Sequence, residues 1–178
     1  MTKSTASTPA SAALPLLIKA CRVHSFGPPE VITMEDIARL EPGEGEVLVR
    51  VKAAGVGPWD AWIRAGKSAL PHPLPLTLGS DLSGVVETLG ARVTAFEPED
   101  HVFGVTNPRF IGAYAEFAVV SAGMIAKKPA RLGDIEAASI PVVAVTAWQA
   151  LFEQADLAHG QTVLIHGAAG NVGAALST

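Results

Sequence analysis

The residues best suited to chemistry stand near the end of the sequence. Thr162-Val-Leu-Ile-His-Gly-Ala-Ala-Gly-Asn-Val-Gly173 is a short apolar run that enters a series of small residues. Ala168, Gly170 and Gly173 occupy the three places of a G-x-G-x-x-G pattern, with alanine in the first. Small residues let a backbone approach a pyrophosphate, and a helix N-terminus offers it unpaired N–H groups and partial positive charge. The pattern predicts a strand over 162–166, a turn through 167–173 and a helix from Val172 onward. On this reading Ala168, Ala169, Gly170, Asn171, Val172 and Gly173 bind the cofactor. A tight structural turn is the alternative, because such a pattern is weak by itself. The residue that separates NAD from NADP would stand about 20 positions further on. Only five residues follow Gly173.

Other reactive side chains are sparse. The five histidines, at 24, 72, 101, 159 and 166, show no paired metal spacing. The one cysteine, Cys21, excludes an internal disulfide and a cysteine-rich zinc site. It reads as a small apolar strand residue rather than a nucleophile. His166 reads as the partner of a buried polar group. Asp60, Arg64 and Asp81 read as a structural charge pair near a cleft. No metal site is expected.

These residues need a scaffold, and the sequence supplies one in two styles. Short strands are expected at 19–25, 31–37, 46–56, 84–89, 101–105, 114–120 and 124–128, with a short helix from Pro58 to Ala65 ended by Gly66. Ser68 to Pro75 reads as proline-rich loop. A short helical piece follows over 134–138. Pro141 then opens a helix to about Ala155, since Val142, Val145, Trp148, Gln149 and Phe152 have helical spacing. An all-β unit thus leads into the opening of an α/β unit.

Composition excludes several classes. The chain has 178 residues, 49% of them hydrophobic and 17% charged, so general disorder is excluded. Net charge is −4 with no Lys/Arg block, which gives nucleic-acid binding no electrostatic support. No apolar run reaches the roughly 18 residues of a membrane span, so no membrane role is expected. The single cysteine suits a reduced, cytoplasmic setting. Residues 1–18, mostly Ser, Thr, Ala, Pro and Leu, read as a disordered extension.

Seven segments together resemble the medium-chain dehydrogenase/reductase superfamily, and within it the zinc-independent, zeta-crystallin-like quinone oxidoreductases. They are 21–31, Pro42 to Val56 (PGEGEVLVRVKAAGV), Pro58 to Gly66, Leu78 to Gly90 (LGSDLSGVVETLG), Asp100 to Gly104, Gly112 to Phe117 and Pro141 to Gly173. The resemblance implies a mainly β GroES-like catalytic domain, a partly closed barrel, over 19–130. The start of a Rossmann nucleotide-binding domain would follow over 131–178, incomplete. It also implies NADP(H) in the cleft between them, and a hydride passed to a quinone or an α,β-unsaturated carbonyl. Gly57 stands where zinc-dependent relatives carry cysteine, and Gly79-Ser80-Asp81 where they carry Gly-His-Glu. Neither offers zinc the ligands it needs.

In the zinc-independent group an asparagine commonly stands at the place of Gly57 and a tyrosine at that of Trp62. Trp62 either stacks near the nicotinamide or packs its helix. Thr146, in Val-Thr-Ala-Trp-Gln-Ala-Leu151, matches a threonine near the nicotinamide, so Trp62 and Thr146 are the candidate catalytic residues. Trp148 is expected in the core. The 178 residues hold one strand and one helical turn of the second domain. Taken alone they are expected to bind NADPH weakly or not at all, with strand 162–166 left unpaired. A homodimer, or a partner supplying the missing half, is then expected. The alternative is a catalytically inactive GroES-like module that works as a binding or interaction protein.

Overall fold

The computed structural model describes residues 16–177. The fold grows around β3 (Glu46–Ala54), which is buried on both sides. Its Val47 and Val49 face one cluster with Leu82, Val86, Val102 and Val120. Its Leu48 faces another with Ile18 and Phe117. The β-branched residues suit this pleated surface, and their burial supplies most of the driving force.

Strand β3 lies second in a five-stranded antiparallel sheet. Its neighbours are β7 (Phe117–Ser121) and β5 (Asp81–Leu89), and β6 (His101–Val105) and β8 (Ile125–Lys127) complete the order β7-β3-β5-β6-β8. The register between β3 and β5 shifts twice, between Leu48 and Val49 and between Val51 and Ala53. Gly84 sits beside the second shift, where a Cβ would run into the Arg50 carbonyl. Strands β1 (Leu17–Val23), β2 (Ile32–Ala38) and β4 (Leu76–Thr77) form a second sheet in the order β2-β1-β4. One bridge, Ala20 to Ala115, joins the β1 region to the chain before β7. The two sheets stay open and do not close into one barrel.

Among the described residues the α-helices are α1 (Pro58–Arg64), α2 (Asp134–Ser139), α3 (Pro141–Trp148) and α4 (Asn171–Leu176). Helix α2 packs on β5 and β3, and α3 packs on α4.

Several expectations need correction. Leu17 and Ile18, expected within a disordered extension over 1–18, belong instead to β1, and Ile18 is core. Residues 1–15 lie outside the described residues. The helix from Pro141 keeps α-helical hydrogen bonds only to Trp148 and widens into a π-helical turn over Gln149–Gln154. Trp148 is exposed and stacks on Phe152 at 4.5 Å rather than filling the core. The expected strand at 162–166 does not form. A strand needs a neighbour to take its backbone hydrogen bonds, and none of the described strands lies beside it. Leu164 is 81% exposed, and His166 is exposed instead of buried.

Candidate functional site

The site is built from the end of β3 outward. Gly57 is the N-cap of α1, in extended conformation at φ −117°. Asp60, three residues on, reaches back so that the Gly57 N–H donates to its Oδ2 at 2.7 Å. This is half of a capping box, and it fixes where α1 begins. Proline at the first helical position suits the same start. The Tyr114 hydroxyl donates to the same Oδ2 at 2.9 Å. Asp60 Oδ1 is buried without a hydrogen-bond partner.

Trp59 points its indole over Gly57, so closely that any Cβ at 57 would enter the ring. Its Nε1 donates to Ser80 Oγ at 2.8 Å, and Ser80 Oγ donates to Asp81 Oδ2 at 2.6 Å. Asp81 Oδ1 accepts the Val142 N–H at 2.8 Å. Asp81 therefore holds the first turn of α3 against the start of β5. That places a negative charge at the positive end of the helix.

Burial dominates the electrostatics. It pushes both Asp60 and Asp81 above the ordinary carboxylate range, against the pull of their hydrogen bonds. Burial and the neighbouring Asp60 push the Tyr114 phenol upward. Arg64 does not pair with either aspartate, as the sequence suggested. It donates to the Gly27 carbonyl at 3.2 Å.

At the other end, Gly167 turns at φ +78° and the Gly170 N–H donates to its carbonyl at 2.9 Å. Gly170 is the N-cap of α4, with no side chain capping the helix. The buried Gly173 packs against Gly167 and Ala168, where a Cβ would collide with the Gly167 carbonyl. Ala168 and Ala169 lie exposed in the turn, and Asn171 and Val172 open the helix.

Three cavities share this region. A cleft of about 280 Å³ brings together Gly55, Trp59, Asp81, Ser139, Asn171 and Ala174. It joins the end of β3 and the start of β5 to the helix that follows the glycine turn. A second, of about 360 Å³, holds Trp62, with Trp59 as a shared wall. A third, of about 580 Å³, holds Thr146, whose hydroxyl donates to the Val142 carbonyl at 2.7 Å. The structure thus places Asn171 in one cavity, Trp62 in another and Thr146 in a third. Trp59, Ser80, Asp81 and Tyr114 were not among the sequence candidates for catalysis or binding. The signal for them was the closeness of Pro58-Trp-Asp and Gly79-Ser-Asp to strand ends, where loops carry function. Among the described residues no group of three His, Cys, Asp or Glu side chains could hold a metal ion.

Residues 43–130 match the alcohol dehydrogenase GroES-like domain family. Beyond that domain, the chain is similar over most of its length to proteins of the medium-chain dehydrogenase/reductase type. Within that class it is similar to the quinone oxidoreductases. The Lama guanicoe quinone oxidoreductase is 41% identical over 160 residues, 89% of this chain and 48% of the relative. The crystal structure of the human synaptic vesicle membrane protein VAT-1 homolog-like protein superposes with TM-score 0.84 at 35% identity, covering 90% of this chain and 51% of that one. A mycobacterial protein solved in complex with NADPH superposes with TM-score 0.79 at 35% identity, covering 90% and 48%. The chain spans about half the length of the curated relatives it matches. No helix among the described residues is long and apolar enough to cross a membrane.

Proposed function

We propose that this chain contributes to an NADP(H)-dependent oxidoreductase that passes a hydride from NADPH to a quinone or an α,β-unsaturated carbonyl. The observation that carries the reading is the cleft where Asn171 of the glycine-turn helix meets Trp59 and Asp81. Ala168 to Gly173 fit a pyrophosphate. Gly173 draws the start of α4 onto the turn, and the first N–H groups of α4 have no capping side chain. NADPH, when bound, supplies the hydride. Thr146 offers a hydroxyl toward the nicotinamide end, and Trp62 offers an aromatic wall to the acceptor. Asp81 holds α3, and with it Thr146, in register with the β-sheet. The similar quinone oxidoreductases and the NADPH-bound neighbour support the reading. The cytoplasm is the compartment that the single cysteine suits.

A second reading rests on the segment 162–166. Leu164 and Val163 are exposed there with no strand beside them among the described residues. The first reading calls for a homodimer or a partner to cover this segment; on the second the chain is an inactive GroES-like binding module with this segment as its pairing edge. Loss of NADPH absorbance in the presence of 1,2-naphthoquinone, and separately of cinnamaldehyde, separates the two. The first reading expects turnover with at least one acceptor, unchanged by EDTA, when the chain is joined to the second half that its relatives carry. No turnover with either acceptor, under conditions where NADPH and acceptor are saturating, favours the second.

A further inference from the structure

The 360 Å³ cavity on the far side of Trp59 has an unusual set of walls. Trp59, Trp62 and Phe110 line it, with Ile63 at its base. Trp59 and Phe110 meet edge to face, with ring centroids 6.4 Å apart and planes at 69°. Trp62 is 57% exposed, a large aromatic surface left uncovered. Phe110 adopts φ +60°, which a bulky side chain rarely takes and which clusters at functional sites. Asn107 holds that turn. Its Oδ1 accepts the Arg109 N–H at 3.0 Å, and its Nδ2 donates to the Ile111 carbonyl at 2.7 Å. The aromatic walls are therefore set before any ligand arrives.

Two cations, Lys67 and Arg109, stand at the rim of the same cavity. Neither side chain makes an ion pair or hydrogen bond among the described residues, in a chain of net charge −4. Burial, and then the charge of Arg109, hold the nearby His72 below the ordinary imidazole range. A flat electron-poor ring gains from stacking on indole faces. A neutral quinone could accept hydrogen bonds from the two cations through its carbonyls but would gain no charge–charge attraction. A ring bearing a negative charge would use both.

We propose that this cavity is a binding site for planar aromatic anions, of the hydroxyquinone class, with Trp59, Trp62 and Phe110 as stacking walls and Lys67 and Arg109 as the selecting charges. This rests on the reading of the protein as a reductase of quinone-type acceptors, but its test needs no turnover. The probes are 2-hydroxy-1,4-naphthoquinone, ionised at neutral pH, and its neutral 2-methoxy analogue. Each is titrated calorimetrically into the full chain without NADPH.

The expected result is at least fivefold tighter binding of the anion. That preference should shrink with added salt, because the cations are exposed. It should vanish in the Lys67→Ala/Arg109→Ala double variant, while the neutral analogue keeps its affinity within twofold. Trp62→Ala should weaken both probes. Both cations are exposed and unpaired, so the double variant should melt with the parent chain. Equal affinity for the two probes, a preference that survives the double variant, or no binding of the anion overturns the proposal. Binding as expected in a protein that never oxidises NADPH would overturn the proposed activity and leave this site standing.

Discussion

Replacing Gly57 by asparagine is expected to destabilise the chain by about 3 kcal/mol, combining overpacking with a lost hydrogen bond. The backbone is not the obstacle, since Gly57 is extended at φ −117°. The obstacle is the Trp59 indole, which lies where the new side chain must go. The ring would have to swing out, breaking its bond to Ser80 Oγ. At roughly 2–4 °C per kcal/mol for a chain of this size, the melting temperature should fall by roughly 6–12 °C. The informative measurement is the double variant. Gly57→Asn with Trp59→Ala should lose less stability than the two single changes summed, because removing the ring makes room for the amide. Strictly additive losses would show that the indole is not what excludes a side chain at 57. The glycine that departs from the common family residue is thus the space in which Trp59 lies.

The two buried aspartates should answer amide replacement in opposite ways. Both oxygens of Asp81 accept hydrogen bonds, from the Ser80 hydroxyl and the Val142 N–H. An asparagine there must turn its NH₂ toward one of these donors. If Ser80 Oγ accepts that NH₂ as well as Trp59 Nε1, its own O–H loses the carboxylate to which it donates. Asp81→Asn should therefore cost about 2–3 kcal/mol, the penalty of a buried donor left unsatisfied. Asp60 has both its bonds on Oδ2, which an amide oxygen can accept, and none on Oδ1. Only the weaker influence of the Gly79 backbone opposes an NH₂ there. Asp60→Asn should stay within about 1 kcal/mol of the parent at neutral pH.

The pH dependence of Asp60→Asn tests the burial argument. Burial raises the folded pKa of Asp60 above its ordinary 3.8. The folded state thus holds that proton more tightly than the unfolded state. The favourable contribution is fully present below the ordinary value and is lost as pH rises through the raised one. Asp60→Asn removes this titration, so its stability relative to the parent should improve from pH 4 toward neutrality. Thermal melts across that range check it. A relative stability that worsens with rising pH would contradict the burial argument.

The positions of most β-strands were legible because alternation in segments such as Val47 to Ala53 reports which residues share a face of the sheet. Helix α1 was legible from Pro58 at its start and Gly66 past its end. Residues 162–166 read as a strand because a compact apolar run carries no information about whether a neighbour exists. Trp148 misled for a related reason. Helical spacing shows which residues share a face, but not whether anything covers that face. The glycine turn was legible as a pattern, and Gly173 makes the close approach its place in the pattern demands. The Trp59–Ser80–Asp81 chain was not legible. It joins residues 21 and 22 positions apart through side-chain hydrogen bonds that no periodicity encodes.

The most direct test of the cofactor site is an amide chemical-shift map of the chain titrated with NADPH to millimolar concentration. The account predicts weak binding, with shifts centred on Ala168 to Gly173 and reaching Gly55, Asp81 and the Trp59 indole N–H across the cleft. Binding already saturated at micromolar NADPH, or shifts confined to surfaces away from the glycine turn, would contradict it.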